Sequence, residues 1–198
     1  MNLGIGDQNV VILTTPRTGS TALCYKISKE LVGSKNYQEA FHPYWPTKDA
    51  DDLWQDFRQG KRFVCKIFPD HSITDQELDM LCKDSFVIFL ERTNLVEQIA
   101  SYHVLSVTER SWFAKDDEQQ SYTVDIDNTK ISYSIRQILN LRQAAEVYRQ
   151  RADISLKYED IVDSIENEHI RKYDRPSNYT ELIEKITKLL PIFIGDRK

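Results

Sequence analysis

A chain of 198 residues is long enough for one α/β domain with a substantial core, and its 40% apolar and 29% charged content is ordinary globular usage. The formal net charge of -5 argues against a broad nucleic-acid footprint, because neutralising phosphates needs a basic surface; a small anion pocket built from a few Arg and Lys stays compatible with it. Cys24, Cys65 and Cys82 are odd in number and show no CxxC or Cys/His spacing, which argues against both a disulfide framework and a zinc site and fits a reducing compartment.

In chain order, Met1 to Asn9 is polar and lacks the basic start and apolar stretch of a signal peptide. Asn9 to Thr14 (NVVILT) is β-branched and apolar, the pattern of a buried parallel strand. A turn follows, then a helical stretch from Ala22 to about Leu31 ending at Gly33. Asp51 to Gln59 is a second helix candidate, and Arg62 to Phe68, closed by Pro69, is a second strand. Thr74 to Cys82 reads as a helix with Thr74 as N-cap and Glu77 completing a capping box. Ser85 to Leu90 (SFVIFL) is a third strand, followed by a helix over Leu95 to Val107 behind Asn94 as N-cap. Lys115 to Lys130 is polar and Asp-rich, the composition of a loop or lid.

Ile131 to Arg151 is the longest helix, with Ile131, Ile135, Ile138, Ala145 and Tyr148 on one apolar face. Ile154 to Lys157 is a fourth, short strand, Glu166 to Asn178 a polar connection, and Tyr179 to Leu190 a final helix. Strands alternating with helices predict an α/β fold of three layers, a mostly parallel central sheet with helices on both faces, as a single domain over residues 1–198. The longest apolar runs are too short to span a bilayer, so the expectation is a soluble, cytoplasmic protein. The oligomeric state stays open.

Two segments carry chemistry. Thr14 to Leu23 reads TTPRTGSTAL, directly after the first strand and opening a helix. Such a corner aims backbone N–H groups and the positive helix end at one point, which makes an anion site. Gly19 permits close backbone approach, Ser20 and Thr21 add hydroxyls, and Arg17 brings a planar, permanently charged fork. The ATP-type loop GxxxxGK[ST] is not matched, because Ser20 stands where its Lys would be and Thr14 replaces its first Gly. An ordinary strand-to-helix turn is the plainer alternative. The second segment, Phe89 to Tyr102 (FLERTNLVEQIASY), again runs from strand end into helix. Arg92 stands at the strand's carboxyl edge, where open α/β sheets bind ligands, and Ser101 follows about two turns into the helix. Arg92 could instead pair with Glu91, and Ser101 could be a packing serine.

Together these two motifs resemble the sulfotransferases that use 3'-phosphoadenosine 5'-phosphosulfate (PAPS). Their spacing, Arg92-x-Asn94 with Ser101 seven residues after Asn94, is similar to the bacterial trehalose and lipopolysaccharide sulfotransferase branch; the cytosolic animal branch has one residue fewer between Arg and Ser. Gln38-Glu39 with Phe41, Val64-Cys65-Lys66, Thr108 to Trp112 and Lys157-Tyr158-Glu159-Asp160 resemble further segments of that branch. The likeness runs from about residue 9 to 163, and residues 164–198 match its pattern poorly.

The resemblance implies a P-loop-type fold and transfer of a sulfuryl group from PAPS to a hydroxyl of a carbohydrate or other small acceptor. The product would be adenosine 3',5'-bisphosphate (PAP), and no metal, nucleic acid or membrane span is implied. Pro16, Arg17, Thr18, Gly19, Ser20 and Thr21 would hold the 5'-phosphosulfate end, and Arg92 with Ser101 the 3'-phosphate. Arg17 and Lys66 would neutralise charge at the transferring group. Glu39 would be the general base, with His42 a competing base, and Trp112 would line the acceptor side. Two other readings remain. A non-catalytic sulfonucleotide-binding protein would keep the site without the transfer, and a divergent P-loop kinase would need the missing Lys. Tyr44, Trp45 and Trp54 could wall a sugar near Glu39 or anchor a core, while His71 and His103 read as capping or packing residues.

Overall fold

The computed structural model describes residues 3–43, 49–108, 122–164 and 175–195, together with the backbone of residue 48. In chain order the elements are β1 (Asn9–Thr14), α1 (Ser20–Glu30), β2 (Lys35–Gln38), α2 (Lys48–Arg58), β3 (Phe63–Ile67), α3 (Asp75–Lys83) and β4 (Ser85–Glu91). Then follow α4 (Leu95–Thr108), α5 (Asn128–Arg149), β5 (Ile154–Lys157), α6 (Tyr158–Ile161), a 3-10 turn over Val162–Ser164 and α7 (Tyr179–Gly195). The chain divides into two compact units, one of residues 1–93 with 141–171, the other of residues 94–140 with 172–198.

The first unit holds a five-stranded sheet in the order β2-β3-β1-β4-β5, every pairing parallel. Alternation along the strands builds its two cores. Val11 and Leu13 of β1, Cys65 and Ile67 of β3, and Val87 and Phe89 of β4 face one side. There they pack on Leu53 of α2, Leu78 and Leu81 of α3, and Ala145 and Tyr148 of α5. Val10, Ile12, Val64, Ile88 and Leu90 face the other side, against Ala22, Leu23 and Ile27 of α1 and Ile161 of α6. Helices thus cover both faces, as the apolar character of β1, β3 and β4 requires.

In the second unit α4, the first part of α5 and α7 close around Ile99, Ala100, Ile131, Ile135, Ile138, Leu182 and Ile186. Buried His103 lies 3.0 Å from Ser134 Oγ and 2.6 Å from the Asp125 carbonyl. Asn178 brackets Val124, accepting from its N–H at 3.1 Å and donating to its carbonyl at 2.8 Å.

Three expectations change. Lys35–Gln38 is a strand, β2, that the sequence reading did not include; its KNYQ carries one buried residue, Tyr37, so an edge strand of this kind leaves no apolar run to find. Of the polar stretch 115–130, residues 122–127 are irregular, whereas Asn128 to Lys130 already belong to α5, with Asp127 Oδ1 accepting from the N–H groups of Thr129 and Lys130. Residues 115–121 lie outside the described segments. The last helix continues past Leu190 with Pro191 inside it. Of the two readings open for Trp54, the packing is that of a core anchor, edge-on to Phe41 at 6.0 Å and to Phe57 at 5.7 Å. Tyr44 and Trp45 fall outside the described residues, as does Trp112. The capping box forms as expected, Thr74 N–H donating to Glu77 Oε2 at 2.9 Å. Among the described residues no helix is long and apolar enough to cross a membrane.

Candidate functional site

Order the strand ends as the sheet orders them, and the residues singled out in the first unit fall side by side. Glu39 follows β2, Lys66 lies near the end of β3, the loop 15–19 follows β1, and Arg92 follows β4. With neighbouring strands about 4.8 Å apart, these four adjacent ends span about 14 Å at the carboxyl edge of the sheet.

Threonine hydroxyls tie down the loop after β1. Thr14 Oγ1, fully buried, donates to the Leu90 carbonyl of the neighbouring strand at 2.7 Å. Thr18 Oγ1 folds back to within 2.6 Å of Thr14 Oγ1 and 3.0 Å of the Thr15 carbonyl. Arg17 and Gly19 both take left-handed backbone, at φ 68° and 79°. For Gly19 that is easily adopted, but for Arg17 it is the sparsely populated region that surrounding structure must impose. Gly19 then caps α1 with no side chain bonded to the helix's first turn, and its carbonyl accepts the first helical bond from Leu23 at 3.2 Å. First-turn amides without a side-chain cap, at the positive end of an 11-residue helix, favour an anion.

Arg92 is oriented from three sides. Its Nη1 donates to the Arg17 carbonyl at 3.3 Å, its guanidinium lies over the Tyr158 ring at 5.1 Å, and its own carbonyl accepts from Arg142 Nη1 at 2.7 Å. The next residue is anchored too, Thr93 N–H donating to Glu159 Oε2 at 3.0 Å. The Glu91–Arg92 pairing considered from sequence does not form, because Glu91 pairs with Arg149 at 2.9 Å. The tip of the loop after β1 and the β4 strand end therefore touch through Arg17 and Arg92.

Glu39 and Lys66 form a buried ion pair, Oε1 to Nζ 2.7 Å, with the side chains 11% and 2% exposed. Lys66 shares a strand face with Val64, so it points toward α1, where Nζ also donates to Thr21 Oγ1. The ammonium that the loop lacks in sequence thus reaches the first turn of α1 from the adjacent strand. Glu39 is aimed by a bulge. The β2–β3 register shifts between Asn36 and Gln38, Gln38 takes φ 47°, Asn36 Oδ1 accepts from Gln38 N–H at 3.1 Å, and Gln38 Nε2 donates to Tyr25 Oη at 2.6 Å.

Two histidines stand beside this pair. His42 N–H donates to the Glu39 carbonyl at 3.0 Å, and its ring meets that of His71 edge-on at 5.9 Å. His71 Nδ1 accepts from Phe68 N–H at 3.3 Å, so the ring's proton belongs on Nε2, which is buried with no hydrogen-bond partner. Burial first, then the nearby His42 and Lys66 charges, push His71 down to about 3, so it is neutral across the working range. Burial likewise pushes the Cys24 thiol on α1 up to about 12, with Lys66 opposing and Glu39 adding, which leaves it an inert packing group.

Ser101 lies half-buried on α4 in the second unit. Three contributors to the first-unit site were not anticipated as such: Arg142, Tyr158 beyond its place in a turn motif, and the Tyr25–Gln38 brace. Tyr158 has a sequence signal in its place directly after the fourth strand and Gln38 in standing beside Glu39, whereas Arg142 and Tyr25 have none. Among the described residues no group of three or more His, Cys, Asp or Glu side chains could hold a metal ion.

No family model matches the chain, and no curated protein does. Among solved structures it is similar to two of retinol dehydratase. One, in complex with androsterone and the inactive cofactor PAP, has a TM-score of 0.44 at 14% identity over 92% of this chain. The other, in complex with retinol and PAP, has a TM-score of 0.43 at 13% identity over 94% of this chain. The chain spans 64% of the length of each of those two chains.

Proposed function

We propose that this chain is a PAPS-dependent sulfotransferase acting on a hydroxyl of a carbohydrate or other small acceptor. The observation that supports it most is the row of adjacent strand ends: carboxylate, ammonium, left-handed anion loop and arginine, in that order. An anhydride-like donor with a phosphate at each end asks for that distribution of charge. The loop 16–21 and the start of α1 take the 5'-phosphosulfate, Arg92 takes the 3'-phosphate, and the sequence resemblance assigns Ser101 to that same phosphate.

In the transfer the acceptor oxygen bonds to sulfur while the bond from sulfur to the bridging oxygen breaks. The electron pair leaves with the 5'-phosphate of PAP, and the acceptor's proton passes to Glu39. Catalysis of this type is mainly positioning and electrostatics. Arg17 and the α1 amides stabilise the leaving phosphate. Lys66, held on Glu39 and Thr21 by short contacts, has the sulfuryl oxygens as an alternative partner. When it moves to them, the Glu39 carboxylate regains the lone pair it needs as base. His42, whose backbone bonds Glu39, is the alternative base.

A second reading, a nucleotide-binding protein without transfer, is favoured by one observation: the candidate base is tied up in an ion pair. Two measurements decide. PAP at a hundred times its dissociation constant adds about 2.7 kcal/mol to unfolding stability, read as a rise in Tm. Mg-ATP at the same concentration is expected to add much less, and a preference for Mg-ATP would mean a kinase-like protein instead. Transfer of labelled sulfate from PAPS to a hydroxyl library then separates enzyme from binder. PAP binding with no modified acceptor would leave the non-catalytic reading standing.

A further inference from the structure

We infer that Tyr158 is a positioning residue that sets the site's preference for a 3'-phosphorylated nucleotide, by presenting its ring face to Arg92 while its edge closes on the phosphate loop. The inference rests on the proposed donor site and adds to it the residue that makes its two ends act together.

Tyr158 opens α6 directly after β5, so the sheet itself fixes where the side chain starts. Two different surfaces of its ring are used. The Arg92 guanidinium lies over the face at 5.1 Å. The Cε2–Cδ2 edge lies against Gly19 so closely that a Cβ there would overlap it. Gly19 is therefore required twice, once for its left-handed φ of 79° and once for the ring. The following residue reinforces the placement, since Glu159 Oε2 accepts from Thr93 N–H at 3.0 Å, next to Arg92.

The two contacts do different things. Packing against Gly19 supports the loop that would hold the 5'-phosphate, and bulk alone suffices for it. The face contact with Arg92 is electrostatic and directional, and only an aromatic ring provides it. It holds the guanidinium plane while Nη1 rests on the Arg17 carbonyl, and a planar fork so held is suited to phosphate oxygens.

Chemically graded variants separate these roles. Binding of PAP and of adenosine 5'-monophosphate, which lacks the 3'-phosphate, is measured by calorimetry on the wild-type chain and on Tyr158→Phe and Tyr158→Leu. Tyr158→Phe keeps ring and bulk, and both affinities are expected to stay within about twofold. Tyr158→Leu keeps bulk and loses the π face. PAP affinity is expected to fall about tenfold, the scale of a partly desolvated cation–π contact, with adenosine 5'-monophosphate nearly unchanged. A merely structural role would move both ligands together. Gly19→Ala should weaken both nucleotides, and adding Tyr158→Ala should recover part of that loss by removing the overlap.

The failures are distinguishable. A wild-type chain that binds PAP no better than adenosine 5'-monophosphate overturns the Arg92 assignment and this inference with it. A wild-type chain that discriminates, with a Tyr158→Leu variant that discriminates equally, overturns the role of Tyr158 alone and leaves the donor site intact.

Discussion

Removing the Lys66 ammonium tests the centre of the site and its energetics at once. In Lys66→Met the Glu39 carboxylate loses its 2.7 Å partner in a setting where the two side chains are only 11% and 2% exposed. Breaking a buried pair by deleting one partner costs about 3–5 kcal/mol, most of it the desolvation of the charge left behind. For a chain of this size each kcal/mol moves Tm by about 2–4 °C, so a fall of about 6–20 °C is expected. Glu39→Gln is milder, because the amide oxygen can still accept from Lys66. The double variant Lys66→Met with Glu39→Gln removes both charges and should be more stable than Lys66→Met alone. A coupling of about 2 kcal/mol in the double-mutant cycle is expected, read from urea unfolding followed by circular dichroism. Activity should behave differently. Glu39→Gln is expected to lower kcat about 10²–10⁴-fold with PAP binding retained, and the double variant should regain stability but no turnover. A loss below about 1 kcal/mol in Lys66→Met would show that the pair behaves as a solvated surface bridge, and the reasoning from burial would fail.

Two further outcomes follow from local structure. His71 is neutral when folded, pushed down to about 3 from an ordinary 6.5, while the unfolded chain takes up its proton. Its contribution is fully present above pH 6.5 and is lost as pH falls toward 3, at about 1.36 kcal/mol per pH unit. His71→Asn, which keeps an acceptor for Phe68 N–H, should therefore flatten the unfolding free energy by about 3 kcal/mol between pH 6.5 and pH 4; an unchanged slope in denaturant titrations would refute the buried placement. Buried His103, also pushed down by its burial, loses stability in the same direction, as do carboxylates held low by hydrogen bonds such as Glu77. At the start of α3, Thr74→Ala removes the hydroxyl half of the capping box while the backbone N–H of residue 74 still donates to Glu77, and it should cost about 1 kcal/mol in the same unfolding assay; a change within error would mean the hydroxyl is idle.

The parts of the fold most legible in the sequence are those where one physical signal dominates. β1, β3 and β4 are apolar runs bounded by turn residues, and the capping box at Thr74 is a spacing rule. β2 was missed because an edge strand with Tyr37 as its one buried side chain has no run of apolar residues and gains its identity from pairing with β3. The start of α5 is not legible in the sequence because Asn128 to Lys130 are polar, their helix held by the Asp127 carboxylate rather than by burial.

The same division holds for the candidate site. By itself the sequence determined that a loop of anion-binding residue types follows β1, that an arginine follows β4 and that Glu39 and Lys66 stand at chemically suggestive places, because residue type and position after a strand are local properties. Only the tertiary structure decided that Lys66 reaches both Glu39 and Thr21, that Arg92 rests on the Arg17 carbonyl, and that Tyr158 touches Gly19 and Arg92. Those contacts join residues far apart in the chain, and the parallel order β2-β3-β1-β4-β5 brings their strand ends together. Strand order depends on which non-local pairings bury the most surface, and no local spacing in the chain encodes it.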